Sequence, residues 1–244
     1  MGGATVAGYY ARQISNLLIR PLNLVGAARC ECPCCGWRGA RFLNYVGYDE
    51  TLANYVCPRC GSHARHRGLA IFLDRYAAAH EAPIRVLHFA PERGIAARIA
   101  ADPKISYVTL DMAPHSVSVR GDIRAIPLRD ASFDLIICCH VLEHLPADGP
   151  ALKEIARTLK PGAAALIMVP MRSGWENLPT LEFGAPQPRL SDHWRLYGND
   201  VAARIESAGL CCKSLRFSSF LTLQERERYQ SGDDVIFLGT KTLR

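Results

Sequence analysis

The spacing of apolar residues changes character several times along the chain. Residues 8–20 place Tyr10, Ile14, Leu17 and Leu18 at helical intervals, and Pro21 predicts the end of that helix. Arg67 to Ala79 is again helical, with Leu69, Phe72, Leu73 and Tyr76 on one face. From Arg85 onward short apolar runs alternate with helical segments. Residues 85–89 predict a strand, 94–101 a short helix, 107–111 a second strand ending in an acid, and 117–120 a third strand. Residues 133–139 are apolar almost throughout, as a strand covered on both faces must be. Pro150 to Leu159 keeps Leu152, Ile155, Ala156 and Leu159 in helical register until Lys160-Pro161-Gly162 stops it, and 163–169 is a fifth strand. Such alternation predicts a parallel sheet with right-handed crossovers. A Pro-rich stretch over 172–199 reads as irregular. A helix over 200–208 and strands at 210–217 and 235–239 follow. The last two strands have no crossover helix between them, which predicts an antiparallel finish. No internal repeat or low-complexity segment interrupts the pattern.

With 244 residues, 49% of them hydrophobic, the chain can bury one α/β core and carry a small appendage. The formal net charge of +6 is compatible with an anionic ligand or RNA but demands neither. No run reaches membrane-span length. The segment MGGATVAGYYARQISNLLIR has no charged start followed by a long apolar run and no cleavage signal. A reducing cytoplasm is therefore expected. The amphipathic N-terminal helix would cover the domain, close over a ligand, or pack on a second copy in a homodimer.

Ten cysteines are many for this length, and six of them (Cys30, Cys32, Cys34, Cys35, Cys57 and Cys60) fall in the first quarter. In a reducing compartment clustered cysteines usually bind metal. Cys32-Pro33-Cys34-Cys35-Gly36 and Cys57-Pro58-Arg59-Cys60-Gly61 each pair two thiols across a tight turn closed by glycine. Two such turns supply four thiolates, so Cys32, Cys35, Cys57 and Cys60 are the expected ligands of a closed tetrahedral zinc site. Cys30 and Cys34 are spare, and either is a competing ligand. A closed site offers no position to substrate, so its default role is structural. His63 and His66 follow as further donors, and Arg65-His66-Arg67 opens a helix where an anion would be welcome.

Phe133-Asp-Leu-Ile-Ile-Cys-Cys-His-Val-Leu-Glu-His144, followed by a helix and Leu159-Lys-Pro-Gly-Ala163, resembles the class I S-adenosylmethionine-dependent methyltransferases of methyltransferase type 11. The looser likeness, over residues 30–241, is to a subgroup with an N-terminal two-knuckle zinc module. The resemblance implies a Rossmann-like, doubly wound, mostly parallel seven-stranded sheet with an antiparallel last strand, plus a zinc-ribbon-like module. It divides the chain into an N-terminal helix (1–25), a zinc module (26–66) and a methyltransferase domain (67–244) with an acceptor-site insertion at 172–199. It implies S-adenosylmethionine and zinc as cofactors. The cofactor loop would be Phe89-Ala90-Pro91-Glu92-Arg93-Gly94, in which only Gly94 remains of the usual glycines. Ala90 is small enough for close approach, and Glu92 suits the cofactor's ammonium. Asp111, beside Met112, suits the two ribose hydroxyls. Asp122 and Ile123 match the adenine-binding positions, and Cys139 and His140 the end of the fourth strand.

Methyl transfer depends mainly on holding the nucleophile in line with the methyl group, and a base helps when the nucleophile carries a proton. His140, Glu143 and His144 form one candidate group. His193 and Tyr197 form a second, within Asp192-His-Trp-Arg-Leu-Tyr-Gly198, where Arg195 and the aromatic Trp175 and Trp194 are also to hand. No Asn/Asp-Pro-Pro-Tyr/Phe segment and no Pro-Cys pair follows the fourth strand. The expected acceptor is therefore an oxygen, nitrogen or sulfur atom of a small molecule such as a specialised metabolite, a sugar or a small thiol. Two other readings are an rRNA or tRNA methyltransferase whose zinc module recognises RNA, and a catalytically inactive zinc-ribbon interaction protein.

Overall fold

The computed structural model describes residues 6–46, 51–113 and 117–243, and the side chain of Tyr10 lies outside that description. The chain forms two compact units. One gathers Met1–Ala79, Glu92–Ala101 and Arg216–Asp234; the other gathers His80–Pro91, Asp102–Leu215 and Val235–Arg244.

In the first unit a helix runs from Val6 to Val25. It does not end at Pro21, as the sequence pattern predicts, but passes through it. Two asparagines seven positions apart brace the helix across the proline. Asn16 bonds both the carbonyl and the amide of Asn44, and Asn23 does the same to Arg41. Of the apolar side chains described here only Ile19 is buried, whereas Ile14, Leu17, Leu18, Leu24 and Val25 are exposed. Polar clamps rather than an apolar stripe therefore dock this helix. Two antiparallel hairpins follow, Cys30–Cys32 with Trp37–Gly39 and Leu43–Val46 with Thr51–Val56. Helices Ala64–Ala78, Arg93–Ala100 and Leu223–Tyr229 complete the unit.

The second unit is built on a seven-stranded sheet. Its strands are β1 (Ile84–Phe89), β2 (Ile105–Asp111), β3 (Val119–Arg120), β4 (Phe133–Cys139), β5 (Leu159–Met168), β6 (Leu210–Arg216) and β7 (Val235–Lys241). Their spatial order is β6-β7-β5-β4-β1-β2-β3. The pairs β1–β2, β1–β4, β2–β3 and β4–β5 are parallel. β7 lies antiparallel on β5, with Phe237 opposite Ile167, so the antiparallel finish is present. Leu87, Ile136, Ile167 and Phe237 from the central strands meet Leu152 and Ile155 of helix Gly149–Thr158 in one core. Lys160-Pro161-Gly162 does not separate helix from strand. It lies inside β5, where Gly162 takes φ 79° beside an irregularity in the β4–β5 register.

The stretch expected to be irregular contains a hairpin, Leu181–Gln187 with His193–Leu196, in which Glu182 stands opposite Arg195. Gly184 and Pro186 hid the strand from a reading based on alternation. The cross-strand ion pair Arg195 Nε–Glu182 Oε2, at 2.9 Å, helps to hold it. Tyr197 bridges to Met171, which ties the hairpin to the chain leaving β5.

Candidate active site and metal centre

In the first unit the two knuckles close as their sequences require. The Gly36 and Gly61 amides donate to the Cys32 and Cys57 carbonyls at 2.8 and 3.0 Å, with φ of 70° and 74°. The sulfurs of Cys32, Cys35, Cys57 and Cys60 lie within 4.8 Å of one another. Cys32 stands 3.7 Å from Cys60, and Cys35 stands 3.7 Å from Cys57. Four thiolates about 2.3 Å from a central zinc ion would be separated by about 3.8 Å, so the donor set fits that ion. The spare thiols point elsewhere, Cys30 to the Ala40 carbonyl and Cys34 to the His66 carbonyl.

Arg67 adds a second observation. It is fully buried, and its guanidinium donates only to backbone carbonyls: Asn54, Tyr55, Ser62, Tyr229 and Gln230. It also stacks 3.8 Å above the Phe42 ring. Burial pushes the Arg67 pKa down, and the neighbouring cysteine sulfurs oppose that shift; with zinc bound, the four thiolates would place negative charge beside this buried cation. Arg67 is thus not a free anion-binding group at the helix start. His66 closes a capping box with His63 and lies 3.5 Å from Glu92. Glu92 occupies the position before helix Arg93–Ala100 without a side-chain capping bond. A Cβ on Gly94 would meet Cys60 Sγ and the Cys34 Cβ at 3.3 Å, so this glycine serves close packing of the helix on the cysteine module.

In the second unit the remaining cofactor candidates collect at the carboxyl ends of β1, β2, β3 and β4. The strand order reverses between β1 and β4, which is where open α/β sheets bind ligands. Phe89 is buried in the core. Ala90 has φ 43°, a left-handed conformation usually left to glycine, and its amide donates to the Leu110 carbonyl at 3.0 Å. Pro91 follows and offers no amide. Asp111 ends β2 half-buried, with Oδ1 accepting from the Ala113 amide at 3.0 Å, and Met112 is exposed. Ile123 is buried. Asp122 is held by Arg124 in a bidentate pair, which lowers its pKa. Cys139 is buried at the end of β4, and His140 has φ 54°. Ala90 and His140 therefore place two strained residues at the ends of adjacent central strands. Strain of this kind persists where function requires it.

Beyond His140 a 3-10 turn, Leu142–His144, brings three imidazoles around one carboxylate. Glu143 is fully buried and His144 is exposed. Glu143 Oε1 lies 3.1 Å from His140 Nδ1 and 4.0 Å from His193 Nε2. The rings of His144 and His193 meet edge to face, 4.9 Å apart. Burial pushes the His193 pKa down, and the charge of Glu143 opposes that shift. Of the second group expected from sequence, His193 thus reaches the first from the hairpin, whereas Tyr197 turns to Asp148.

Arg195 and Tyr197 hold this arrangement together. Arg195 is buried and donates from Nη1 to the carbonyls of Leu142 and Leu145 at 3.0 and 2.9 Å, and from Nη2 to that of Pro146 at 2.8 Å. It fastens the turn carrying Glu143 and His144 to the strand carrying His193. Tyr197 is buried and donates to Asp148 Oδ2 at 2.9 Å; burial, reinforced by the Asp148 charge, raises its pKa. Arg204 in turn bridges Asp148, Glu182 and Asp200. The supporting roles of Arg67, Arg195 and Glu182 have no local sequence signal, because each depends on partners distant in the chain.

Residues 87–167 match the methyltransferase domain family. Among solved structures, the Burkholderia thailandensis 1,6-didemethyltoxoflavin-N1-methyltransferase is similar at 16% identity and TM-score 0.53, over 73% of this chain and 78% of that one. A Haloferax volcanii chain, from a complex containing the Trm112 methyltransferase activator, is similar at 19% identity and TM-score 0.53, over 74% of this chain and 91% of that one. The [4+2]-cyclase SpnF is similar at 16% identity and TM-score 0.54, over 100% of both chains. Likeness at these identities establishes the fold, and the cyclase illustrates that a fold does not dictate a reaction.

Proposed function

We propose that this chain, whose residues 87–167 match the methyltransferase domain family, is a class I S-adenosylmethionine-dependent methyltransferase that transfers a methyl group to an oxygen, nitrogen or sulfur atom of a small-molecule acceptor. The observation that carries the reading is the polar cluster His140–Glu143–His144–His193, placed just beyond β4 in a unit whose sheet has the strand order described above. The Burkholderia thailandensis methyltransferase, on a similar fold, holds 1,6-didemethyltoxoflavin together with S-adenosylhomocysteine.

When bound, S-adenosylmethionine supplies a methyl group on a positively charged sulfur. The chain supplies position and proton handling. Asp111 is the proposed partner of the ribose hydroxyls, where a carboxylate can accept two bonds at once. Ala90 brings the backbone after β1 close to the ligand, and Ile123 offers an apolar wall to the adenine. Asp122 retains lone pairs for the adenine amino group beside its pair with Arg124. His140 is the proposed base. Its Nδ1 faces Glu143, so the carboxylate orients the ring and steadies the imidazolium that forms when the acceptor gives up its proton. Cys32, Cys35, Cys57 and Cys60 would hold zinc as structural support for the first unit.

Calorimetric titration of the zinc-replete protein with S-adenosylhomocysteine tests the reading. Saturable one-site binding, weakened at least tenfold in Asp111→Ala, is the expected result. Absence of binding would overturn the methyltransferase assignment.

A further inference from the structure

We propose that Glu143, His144 and His193 form a second metal site, for one divalent transition-metal ion, and that its open side receives an oxygen-bearing acceptor. Metal binding stands on the geometry alone; the acceptor's role rests on the methyltransferase reading above.

One ligand atom from each of the three residues lies within 4.8 Å of the others. Donors about 2.1 Å from a common ion are separated by about 3.0–3.4 Å, so a small inward turn of the imidazoles completes the set. The decisive feature is Glu143. Its side chain is fully buried, Oε1 faces His140 and His193, and Oε2 is buried with no hydrogen-bond partner. Among the described residues no lysine or arginine pairs with this carboxylate. A buried carboxylate oxygen without a donor is costly unless a cation compensates it. His193 Nδ1 is likewise buried and without a partner. An unsatisfied buried carboxylate oxygen beside two imidazoles calls for a cation.

The surroundings have the features of a prepared site. Arg195 locks the turn bearing Glu143 and His144 to the strand bearing His193, so the three donors are positioned before any ion arrives. His140 contacts Glu143 from the second rank, as outer groups do around metal ligands. His144 is exposed, so coordination positions on that side open to solvent. Two imidazoles and a carboxylate suit manganese, iron(II), cobalt or zinc, whereas the thiolate module favours softer binding of zinc. The open positions of such an ion favour oxygen donors, which selects acceptors with a hydroxyl or adjacent hydroxyl groups.

The test is titration of the zinc-replete full chain with Mn(II), with the free ion counted by electron paramagnetic resonance. Filling the thiolate site with zinc leaves manganese, a poor thiolate partner, to report on the second site. The expected result is one saturable Mn(II) per chain, weakened at least tenfold in Glu143→Gln and in His144→Ala. The latter change is at an exposed residue, so it preserves the fold even if the buried one does not. No saturable binding, or affinity unchanged in both variants, would overturn the site. S-adenosylhomocysteine titration of the same samples separates the two proposals. Binding of that compound without Mn(II) sinks the metal site alone. Binding of Mn(II) without that compound sinks the methyltransferase reading and retains the site.

Discussion

Arg195→Met tests whether the site is held together as described. The substitution keeps an unbranched apolar stem but removes the guanidinium, with its three bonds to the carbonyls of Leu142, Leu145 and Pro146 and its ion pair to Glu182. Hydrogen bonds from a charged donor contribute about 1.5–3 kcal/mol each. They do not add fully, because the bonds share one donor and act as a unit. Carbonyls left without a donor cost about 1–3 kcal/mol each, so a loss of about 3–5 kcal/mol is expected, while Glu182, half-exposed, keeps Arg204. Against a total stability of about 5–15 kcal/mol the variant remains mostly folded. Arg195→Lys keeps the charge, but its single ammonium cannot span all four partners, so an intermediate loss of about 2 kcal/mol is expected. Urea denaturation followed by tryptophan fluorescence measures both, since Trp194 adjoins the substituted residue. Mn(II) affinity should fall with the loosened turn, while S-adenosylhomocysteine binding should change little. A loss below about 1 kcal/mol in Arg195→Met would refute the clamp argument, given the charged-bond magnitudes used.

Other perturbations probe the remaining parts. Replacing both Cys57 and Cys60 by serine should release zinc, counted with a chromogenic chelator, and destabilise the first unit; full zinc retention would refute the four-thiolate assignment. Arg67→Met leaves five backbone carbonyls without their donor and should cost about 3–5 kcal/mol in denaturant titration, with faster zinc loss to a chelator. Ala90→Gly should be neutral or stabilising and Ala90→Val destabilising by about 1–2 kcal/mol, because only glycine takes φ 43° without strain; equal stability of the two would contradict the left-handed backbone. Asp111→Ala should weaken S-adenosylhomocysteine at least tenfold with an unchanged melting temperature.

Much of the sheet was legible because buried parallel strands leave little choice of residue. Residues 133–139 are apolar almost without interruption, and the structure places them beside 85–89 at the centre of the sheet. The knuckles were legible because two sulfurs reach one centre only across a tight turn, which requires the Cys-Pro-x-Cys-Gly spacing. The N-terminal helix and the hairpin were less legible, for opposite reasons. Pro21 is a strong local signal that Asn16 and Asn23 override through bonds to distant backbone. In the hairpin, Gly184 and Pro186 mask a strand that the Glu182–Arg195 pair sustains from outside the local sequence.

The arginines show why charge is the hardest property to read from composition. The formal +6 suggests a basic surface and therefore keeps RNA in view. Yet Arg67 and Arg195 are both buried, one inside a cage of carbonyls beside thiols and the other in a clamp beneath the imidazole cluster. Neither presents charge to a phosphate. Occupation of the cysteine site would lower the net charge further, since four thiolates around one divalent ion leave two negative charges that the formal count omits. The positive balance that a polyanion would meet is therefore smaller than the sequence states. The internal arginines serve the cysteine cluster and the imidazole cluster, and their charge is spent on backbone carbonyls there.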